Sequence, residues 1–506
     1  MEATVWDLVN GTDAARITLD EDERARMDAS ADRFDQAIAA DEPVYGVTRG
    51  FGPLVRFAAD PDNAAQGLNL IHHLAAGLGP ALAPDSTRLM LRLRIEGMKK
   101  GYSGIRPADW GNLARAFNAG FLPVVPAKGS VSASGDLLPL AHAALALAGH
   151  GEAWREQDGV LSTEPAADAL ARLGLPAMRW GAREALSFVN GSSASLAVAL
   201  QNHATTLSLS RIGAMLTGQT VDLLGACTEP YADAVVRARG QLAGHARAAR
   251  WIRDELAVDV AAGKARSVQE PYSLRCAPQI IGSVLDYLRS VEPLLLQEAH
   301  ACSDNPVVAA EAVLHAGNFH AINAGVVSDL HAVLVHQLAF LAERQLALVL
   351  EPGTNGGLPA LLAGSPGATS GLAGLQISAT GLVAEIRQKS APATTTALPT
   401  NLSNQDIVPM SLIGALRTRE QGELAALVLA ALAIAVAQIR HIRGVTPTAG
   451  LWADILRACP RLVTDRPLSA EVNTIRDLLL TWAAARGPDD RRITGTQRSR
   501  ARTAVR

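Results

Sequence analysis

The tripeptide Ala133-Ser134-Gly135 carries the most distinctive chemistry in this chain. In such a tripeptide the glycine nitrogen can attack the alanine carbonyl carbon. Loss of water, including the serine hydroxyl, then leaves a methylidene-imidazolone ring, an electrophile that no unmodified side chain provides. Glycine suits the nitrogen role because it has no Cβ to obstruct the close backbone approach. Without its neighbours, the same tripeptide is compatible with an ordinary turn of small residues.

The neighbours of this tripeptide make it specific. Gly129-Ser130 precedes it, and residues 136–142 (DLLPLAH) follow it directly. With these neighbours the segment resembles the signature of the aromatic amino acid ammonia-lyase and aminomutase family. The resemblance implies a 4-methylidene-imidazol-5-one formed autocatalytically from Ala133, Ser134 and Gly135, with no external cofactor and no metal.

A second match lies at residues 45–52 (YGVTRGFG), which resemble the family's catalytic loop. Ammonia elimination is difficult because the β proton is scarcely acidic and ammonium leaves the α carbon poorly. In this family the prosthetic group captures the amine, as bound cofactors do elsewhere, and the resemblance makes Tyr45 the base. A phenol has an ordinary pKa near ~10, so we expect a positive environment around Tyr45.

A third match lies at residues 269–279 (QEPYSLRCAPQ). The resemblance implies that Arg275 binds the substrate carboxylate, a task that suits a planar, bidentate guanidinium better than a lysine. It also implies that Tyr272 lies beside the electrophile as a proton donor or relay.

Further substrate contacts follow from shorter matches to the same family. Gly52 ends the tyrosine loop, and Asn190 of an Asn-Gly pair is expected to contact both the prosthetic ring and the substrate. Phe319 in a GNFH run is expected to pack over the substrate ring. Asn305, in an SDNP run, is expected to brace its loop together with Asp304.

Residues 69–77 (NLIHHLAAG) align with the block that selects the substrate ring. Histidine enzymes carry Ser-His at its centre, phenylalanine enzymes an aromatic residue and leucine, and tyrosine enzymes His-Leu, which is what His73-Leu74 matches. An imidazole can bond a buried phenol hydroxyl and thereby reject substrates that lack it. The alternative is that His73 is a core histidine satisfied by backbone.

A second selective block is residues 401–408 (NLSNQDIV). Histidine enzymes carry glutamate at position 405, whereas Gln405 matches tyrosine and phenylalanine enzymes. Asn401 favours tyrosine, since phenylalanine enzymes usually have a carboxylate there.

The resemblance therefore implies elimination of ammonia from L-tyrosine to give trans-4-coumarate. A tyrosine 2,3-aminomutase, which returns ammonia to the β carbon to give β-tyrosine, remains open as the alternative. Histidine and phenylalanine are less favoured substrates. A non-catalytic helical assembly protein with the same fold is opposed by the tripeptide together with Tyr45, Tyr272 and Arg275.

Composition points to a helical, water-soluble chain. Of 506 residues, 48% are hydrophobic but only 4% aromatic, and the abundance of alanine and leucine favours long packed helices. A net charge of −3 argues against nucleic acid or an anionic membrane as partner. The longest apolar run, residues 424–437, is shorter than the ~20 residues that span a bilayer. No signal peptide is recognisable, and the four scattered cysteines suit a cytoplasmic protein.

We predict a mainly α fold: a loop-rich N-terminal part that carries the prosthetic group, followed by a long-helix bundle. The predicted parts are residues 1–200, with the catalytic and methylidene-imidazolone loops; residues 201–485, the bundle; and residues 486–506, a basic, flexible tail. The family is homotetrameric, with active sites built from three chains. Apolar residues at helical spacing predict long helices within 200–300, 321–351, 365–390 and 409–443.

Overall fold

The computed structural model describes residues 4–11, 16–240, 242–257 and 267–488. The predicted basic tail, 486–506, lies outside the described residues except for its first three. Helices dominate the described part of the chain, so the predicted fold class is confirmed.

The helices, in chain order, are α1 (Val5–Asn10), α2 (Glu21–Ala39), α3 (Asn63–Leu74), α4 (Pro84–Met98), α5 (Pro107–Asn118), α6 (Leu137–Leu147), α7 (Ala166–Arg172), α8 (Ala182–Val189), α9 (Ser193–Leu224), α10 (Asp233–Ala238), α11 (Ala243–Arg253), α12 (Tyr272–Arg275), α13 (Ala277–His300), α14 (Ile322–Leu350), α15 (Ala373–Gln388), α16 (Ser411–Arg443), α17 (Leu451–Ala458) and α18 (Ser469–Ala484).

The strands of the described residues form three separate two-stranded antiparallel ribbons. They pair β1 (Leu78–Ala81) with β2 (Pro126–Lys128), β3 (Glu152–Gln157) with β4 (Val160–Pro165), and β5 (Val307–Val308) with β6 (Val313–Leu314).

The longest helices follow the apolar spacing of the sequence. In α14, Leu334, Leu338, Leu341 and Leu348 are all buried, because residues three, four and seven apart share one helix face. By contrast Val333, which the same pattern includes, remains 46% exposed. Helical spacing therefore identifies the helix better than it identifies each buried side chain.

Two helices, α14 and α16, are long and apolar enough to cross a membrane by length and composition alone. The sequence-based expectation of a run too short to span is therefore wrong for α16, which extends well beyond residues 424–437. The most apolar stretches of α14 and α16 are 61% and 83% buried within the protein. A helix that is apolar on all sides and buried is typical of a protein core.

The chain forms two compact units, each assembled from segments that are distant in sequence, and the three parts expected from the sequence stay a prediction. The first unit combines Met1–Asn202, Glu292–Leu330 and Pro392–Arg417; the second combines His203–Val291, His331–Ala391 and Thr418–Arg506.

A pair of buried histidines stands out in the second unit. The rings of His203 on α9 and His331 on α14 have centroids 5.4 Å apart, and both side chains are almost fully buried. Nδ1 of His203 and both ring nitrogens of His331 have no hydrogen-bond partner among the described residues. Burial lowers the pKa of His203 to about 4. Burial and the proximity of His203 hold the pKa of His331 well below its usual value.

These histidines should make the protein sensitive to acid. Below pH 6.5 the two histidines bind protons in the unfolded chain but stay neutral in the folded protein. The free energy of unfolding therefore falls as pH drops from about 6.5 towards 4. For His203 alone the loss approaches ~3 kcal/mol. Scanning calorimetry between pH 7 and 4.5 should show a smaller fall in apparent Tm for His203→Leu/His331→Leu than for wild type. The exposed His150→Leu should behave as wild type, and equal slopes in all three proteins would contradict the expectation.

Candidate active site

The segment before α6 holds the tripeptide in a tight turn. Gly135 has φ +72°, and a Cβ at this position would lie 2.4 Å from the carbonyl oxygen of Gly191. The Asp136 N–H donates to that same oxygen at 2.7 Å. Ala133 and Gly135 pair through an isolated β-bridge. Only glycine fits at position 135, and the turn brings together the two residues whose condensation the sequence predicts.

Two amide side chains hold Ser134 in the centre of this turn. Asn190 Nδ2 donates to the Ser134 carbonyl oxygen at 2.8 Å, and Gln405 Nε2 donates to Ser134 Oγ at 2.9 Å. Asn190 Oδ1 is buried without a hydrogen-bond partner among the described residues. The site therefore keeps one unused acceptor directly beside Ser134.

The buried carboxylate of Asp136 stabilises the turn through hydrogen bonds. It is fully buried and accepts from Ser130 Oγ at 3.1 Å and Ser132 Oγ at 2.7 Å. Ser195 adds two donors, its N–H at 2.7 Å and its hydroxyl at 2.8 Å. Burial raises the pKa of Asp136 above its ordinary value, and these hydrogen bonds oppose that shift. The sequence pattern contained Asp136 but gave it no role.

A cavity of about 990 Å³ opens above the tripeptide within the first unit. Twelve of the fourteen predicted site residues line it: Tyr45, Gly52, His73, Leu74, Ala133, Ser134, Gly135, Asn190, Asn305, Phe319, Asn401 and Gln405.

The Tyr45 hydroxyl oxygen is held by its own loop. It accepts the N–H of Gly52 at 2.8 Å, and Gly52 has φ +53°. Burial raises the pKa of Tyr45, and the Gly52 N–H offsets part of that shift. Among the described residues no lysine or arginine lines this cavity, and the expected positive environment of Tyr45 stays a prediction. Arg49 is exposed and lines a second cavity that Tyr45 also borders.

His73 lies in the last turn of α3 and is exposed to the cavity, so it is not a core histidine. Its Nδ1 lies 3.0 Å from the carbonyl oxygen of Asn69. A carbonyl can only accept, so Nδ1 carries the proton and Nε2 keeps its lone pair. Leu70, one turn earlier, and Gln66, two turns earlier, also line the cavity and were missed. Their spacing of four residues along the same helix face would have predicted them.

Asn305 is held by a loop with a charged anchor, which agrees with the bracing role predicted for Asp304. The Asp304 carboxylate is fully buried and accepts from Arg183 Nη2 at 2.8 Å, with Arg94 Nη2 3.9 Å away. Asn305 Oδ1 accepts the N–H of Ala316 at 2.7 Å.

Tyr272 and Arg275 are the two predicted residues that do not line this cavity. Both belong to the second unit, where the Arg275 guanidinium lies 4.6 Å from the centroid of the Tyr272 ring. Tyr272 is 68% exposed and lines a cavity of about 600 Å³ within that unit.

The helical fold and a tripeptide turn facing a tyrosine loop across one cavity define the class of aromatic amino acid lyases. Residues 3–459 match the aromatic amino acid lyase family, and the chain belongs to it. The resemblance predicted from sequence is confirmed, and the protein is an enzyme.

Individual relatives within the family differ in their named substrates. The chain is 36% identical to a tyrosine ammonia-lyase of Cereibacter sphaeroides, covering 92% of this chain and 94% of that protein. It is 35% identical to a histidine ammonia-lyase of Aromatoleum aromaticum, covering 91% and 89%. Among solved structures it is similar to a tyrosine aminomutase from Streptomyces globisporus. The TM-score is 0.86 at 29% identity, covering 96% of this chain and 97% of that chain.

Proposed function

We propose that this enzyme eliminates ammonia from L-tyrosine, without an oxidant, to give trans-4-coumarate. One observation carries the proposal: the tripeptide and Tyr45 line the same cavity as His73 and Gln405. The tripeptide and Tyr45 supply the chemistry expected of the family, and His73 and Gln405 determine the choice of substrate. A cytoplasmic location accords with the composition and stays a prediction.

The tripeptide turn fits a methylidene-imidazolone. Gly135 has no Cβ to interfere, its neighbour Gly191 approaches closely, and Asn190 and Gln405 donate to Ser134. We infer that Ala133, Ser134 and Gly135 form the group and that Asn190 holds it through the Ser134 carbonyl oxygen, whereas the bond from Gln405 is lost when the Ser134 hydroxyl leaves as water. When formed, it supplies an electrophile for the substrate amine, so that ammonia can leave.

Tyr45 is the proposed acceptor of the β proton. Its hydroxyl oxygen already accepts the Gly52 N–H at 2.8 Å, a bond that favours the phenolate. Burial opposes that form, so a cation must complete the site before Tyr45 can act as a base near neutral pH. Arg275 and a bound substrate amine are the candidate cations.

His73 is proposed to read the substrate hydroxyl. Because its Nδ1 donates to the Asn69 carbonyl, Nε2 can accept a hydrogen bond from a phenol O–H. Phenylalanine offers no such donor.

Gln405 argues against histidine as the substrate, despite the similar identity to a histidine ammonia-lyase. Its neutral amide carries no charge to pair with a substrate imidazolium. The aminomutase reaction is the second candidate, favoured by the structural similarity to a tyrosine aminomutase. Chromatography of the product distinguishes the two, because coumarate accumulates in one case and β-tyrosine in the other.

We further propose that the working enzyme is a homotetramer with shared active sites. The support is that Tyr272 is 68% exposed and that neither Tyr272 nor Arg275 is among the residues that line the cavity of the first unit. In the family each site combines loops from three chains, so another copy would supply both residues. A purified protein that is monomeric yet fully active would overturn this arrangement.

Formation of the prosthetic group can be tested by mass alone. We expect the intact chain to be lighter by two waters, in a peptide that contains Ala133-Ser134-Gly135. The Ser134→Ala variant should fold normally but lack this methylidene and nearly all turnover, because the methylidene carbon derives from the serine Cβ. A folded wild-type protein of unmodified mass would favour the non-catalytic alternative.

Replacing the proposed base should affect the chemical step. Tyr45→Phe is expected to lower kcat and kcat/KM together, by ~10²–10⁴-fold, as for an interaction made in the transition state. Steady-state kinetics with L-tyrosine provides the measurement. Tyr102→Phe, an exposed tyrosine in the same unit, is the matched control and should match wild type. Retained turnover in Tyr45→Phe would transfer the role to Tyr272.

Substrate preference should depend on His73. In wild type, phenylalanine leaves Nε2 of His73 without a partner, at a cost of about 1–3 kcal/mol, or roughly 5- to 150-fold in kcat/KM. His73→Phe should reverse the preference by replacing the acceptor with an apolar ring. The control is His72→Phe, because this neighbouring histidine does not line the cavity. An unchanged tyrosine-to-phenylalanine ratio in His73→Phe would refute the assignment.

A further inference from the structure

Three backbone N–H groups that follow Tyr45 are satisfied within its own loop. The N–H groups of Val47, Thr48 and Arg49 all donate to the Val44 carbonyl oxygen, at 3.0–3.2 Å. The Tyr45 N–H points elsewhere. It donates to Nε2 of His315, 270 residues later in the chain, at 3.1 Å.

The β5–β6 hairpin explains why His315 reaches this position. Val307 pairs with Leu314, so the residues just beyond that pair lie side by side at the open end of the hairpin. There His315 meets Tyr45, and the next residue, Ala316, donates its N–H to Asn305 Oδ1 at 2.7 Å. Two consecutive residues therefore hold two residues that line the cavity.

The hairpin is itself fixed against the tyrosine loop. Val308 is buried in one apolar cluster with Phe34 and Val44, and Val47 and Val313 pack against that cluster. The hairpin and the loop thus meet through packing on one side and through the His315 hydrogen bond on the other. Such contacts hold a reacting group in place, where a displacement of ~1 Å can cost ~10²-fold in rate.

The chemistry of the contact requires a neutral imidazole. Because the Tyr45 N–H donates, Nε2 of His315 must carry a lone pair, and Nδ1 carries the proton. Burial, and then the charge of Arg183, lowers the pKa of His315. The charged Arg49 lines the same small cavity as His315 and Tyr45 and also disfavours an imidazolium there.

We infer that His315 is a positioning residue for Tyr45: its Nε2 fixes the backbone from which the phenol reaches the cavity. The inference rests on the proposed function of Tyr45 as the base. His315 does not line the main cavity, so it acts through Tyr45 rather than on the substrate.

Two substitutions separate this role from general stability. His315→Leu removes the acceptor, whereas His315→Gln retains an oxygen that can accept at about the distance of Nε2. We expect His315→Leu to lower kcat by ~10- to 100-fold with little change in KM. The deuterium isotope effect for β-deuterated L-tyrosine should rise, because proton removal becomes more rate-limiting. His315→Gln should recover most of the loss, and the exposed His150→Leu should match wild type.

Hydrogen exchange of the amides in peptides covering residues 43–52 gives a readout that needs no turnover. Protection at Tyr45 should fall in His315→Leu and persist in His315→Gln, with equal apparent Tm values. If wild type turns over no arylalanine, the proposed function fails, while the exchange data still test the contact. An unchanged exchange rate and kcat in His315→Leu, or a Gln variant no better than Leu, would overturn the inference.

Discussion

The buried carboxylate of Asp136 is the constraint on which the rest of the site depends. An ionised carboxylate without partners is very costly inside a protein, so the loss of any one of its four hydrogen-bond donors destabilises the folded state. Those donors come from Ser130 and Ser132, just before the tripeptide, and from Ser195 at the start of α9. The carboxylate therefore fixes the turn and the helix start as one body, and the close approach of Gly135 to Gly191 follows from it.

A second buried group of charges stabilises the loops that carry Asn190 and Asn305. Asp304 pairs with Arg183, while Arg94 donates to the carbonyl oxygens of Ser187 and Ser303. Ser187 comes three residues before the Asn190 that contacts Ser134, and Ser303 comes two residues before Asn305. Two guanidinium groups around one carboxylate thus connect the two loops whose amides face the cavity. Removing one partner of such a group leaves a buried charge uncompensated, which is typically far more damaging than losing a surface ion pair.

The sequence was informative where physical determinants are local. Helical spacing predicted a helix within 321–351, and the structure has Ile322–Leu350, since neighbours three and four residues apart decide that pattern. The short motifs also named twelve of the residues that line the cavity, because each motif keeps its chemistry within a few positions. Contacts between distant segments left no local signal: nothing near Tyr45 points to His315, 270 residues away. The same reason explains why Asp136 was recognised as part of a motif without its partners in α9.

The tripeptide turn has partners that are made very late in translation. Ser132 Oγ accepts the N–H of Leu412, 280 residues further along the chain, and the Met410 N–H donates to the Val131 carbonyl oxygen. Gln405, which donates to Ser134, is also synthesised late, 271 residues after Ser134. At ~5–20 residues per second, the ribosome needs on the order of tens of seconds to add these residues. During that interval the nascent turn lacks the groups that hold it, so the proposed ring closure would require the completed chain rather than the emerging one.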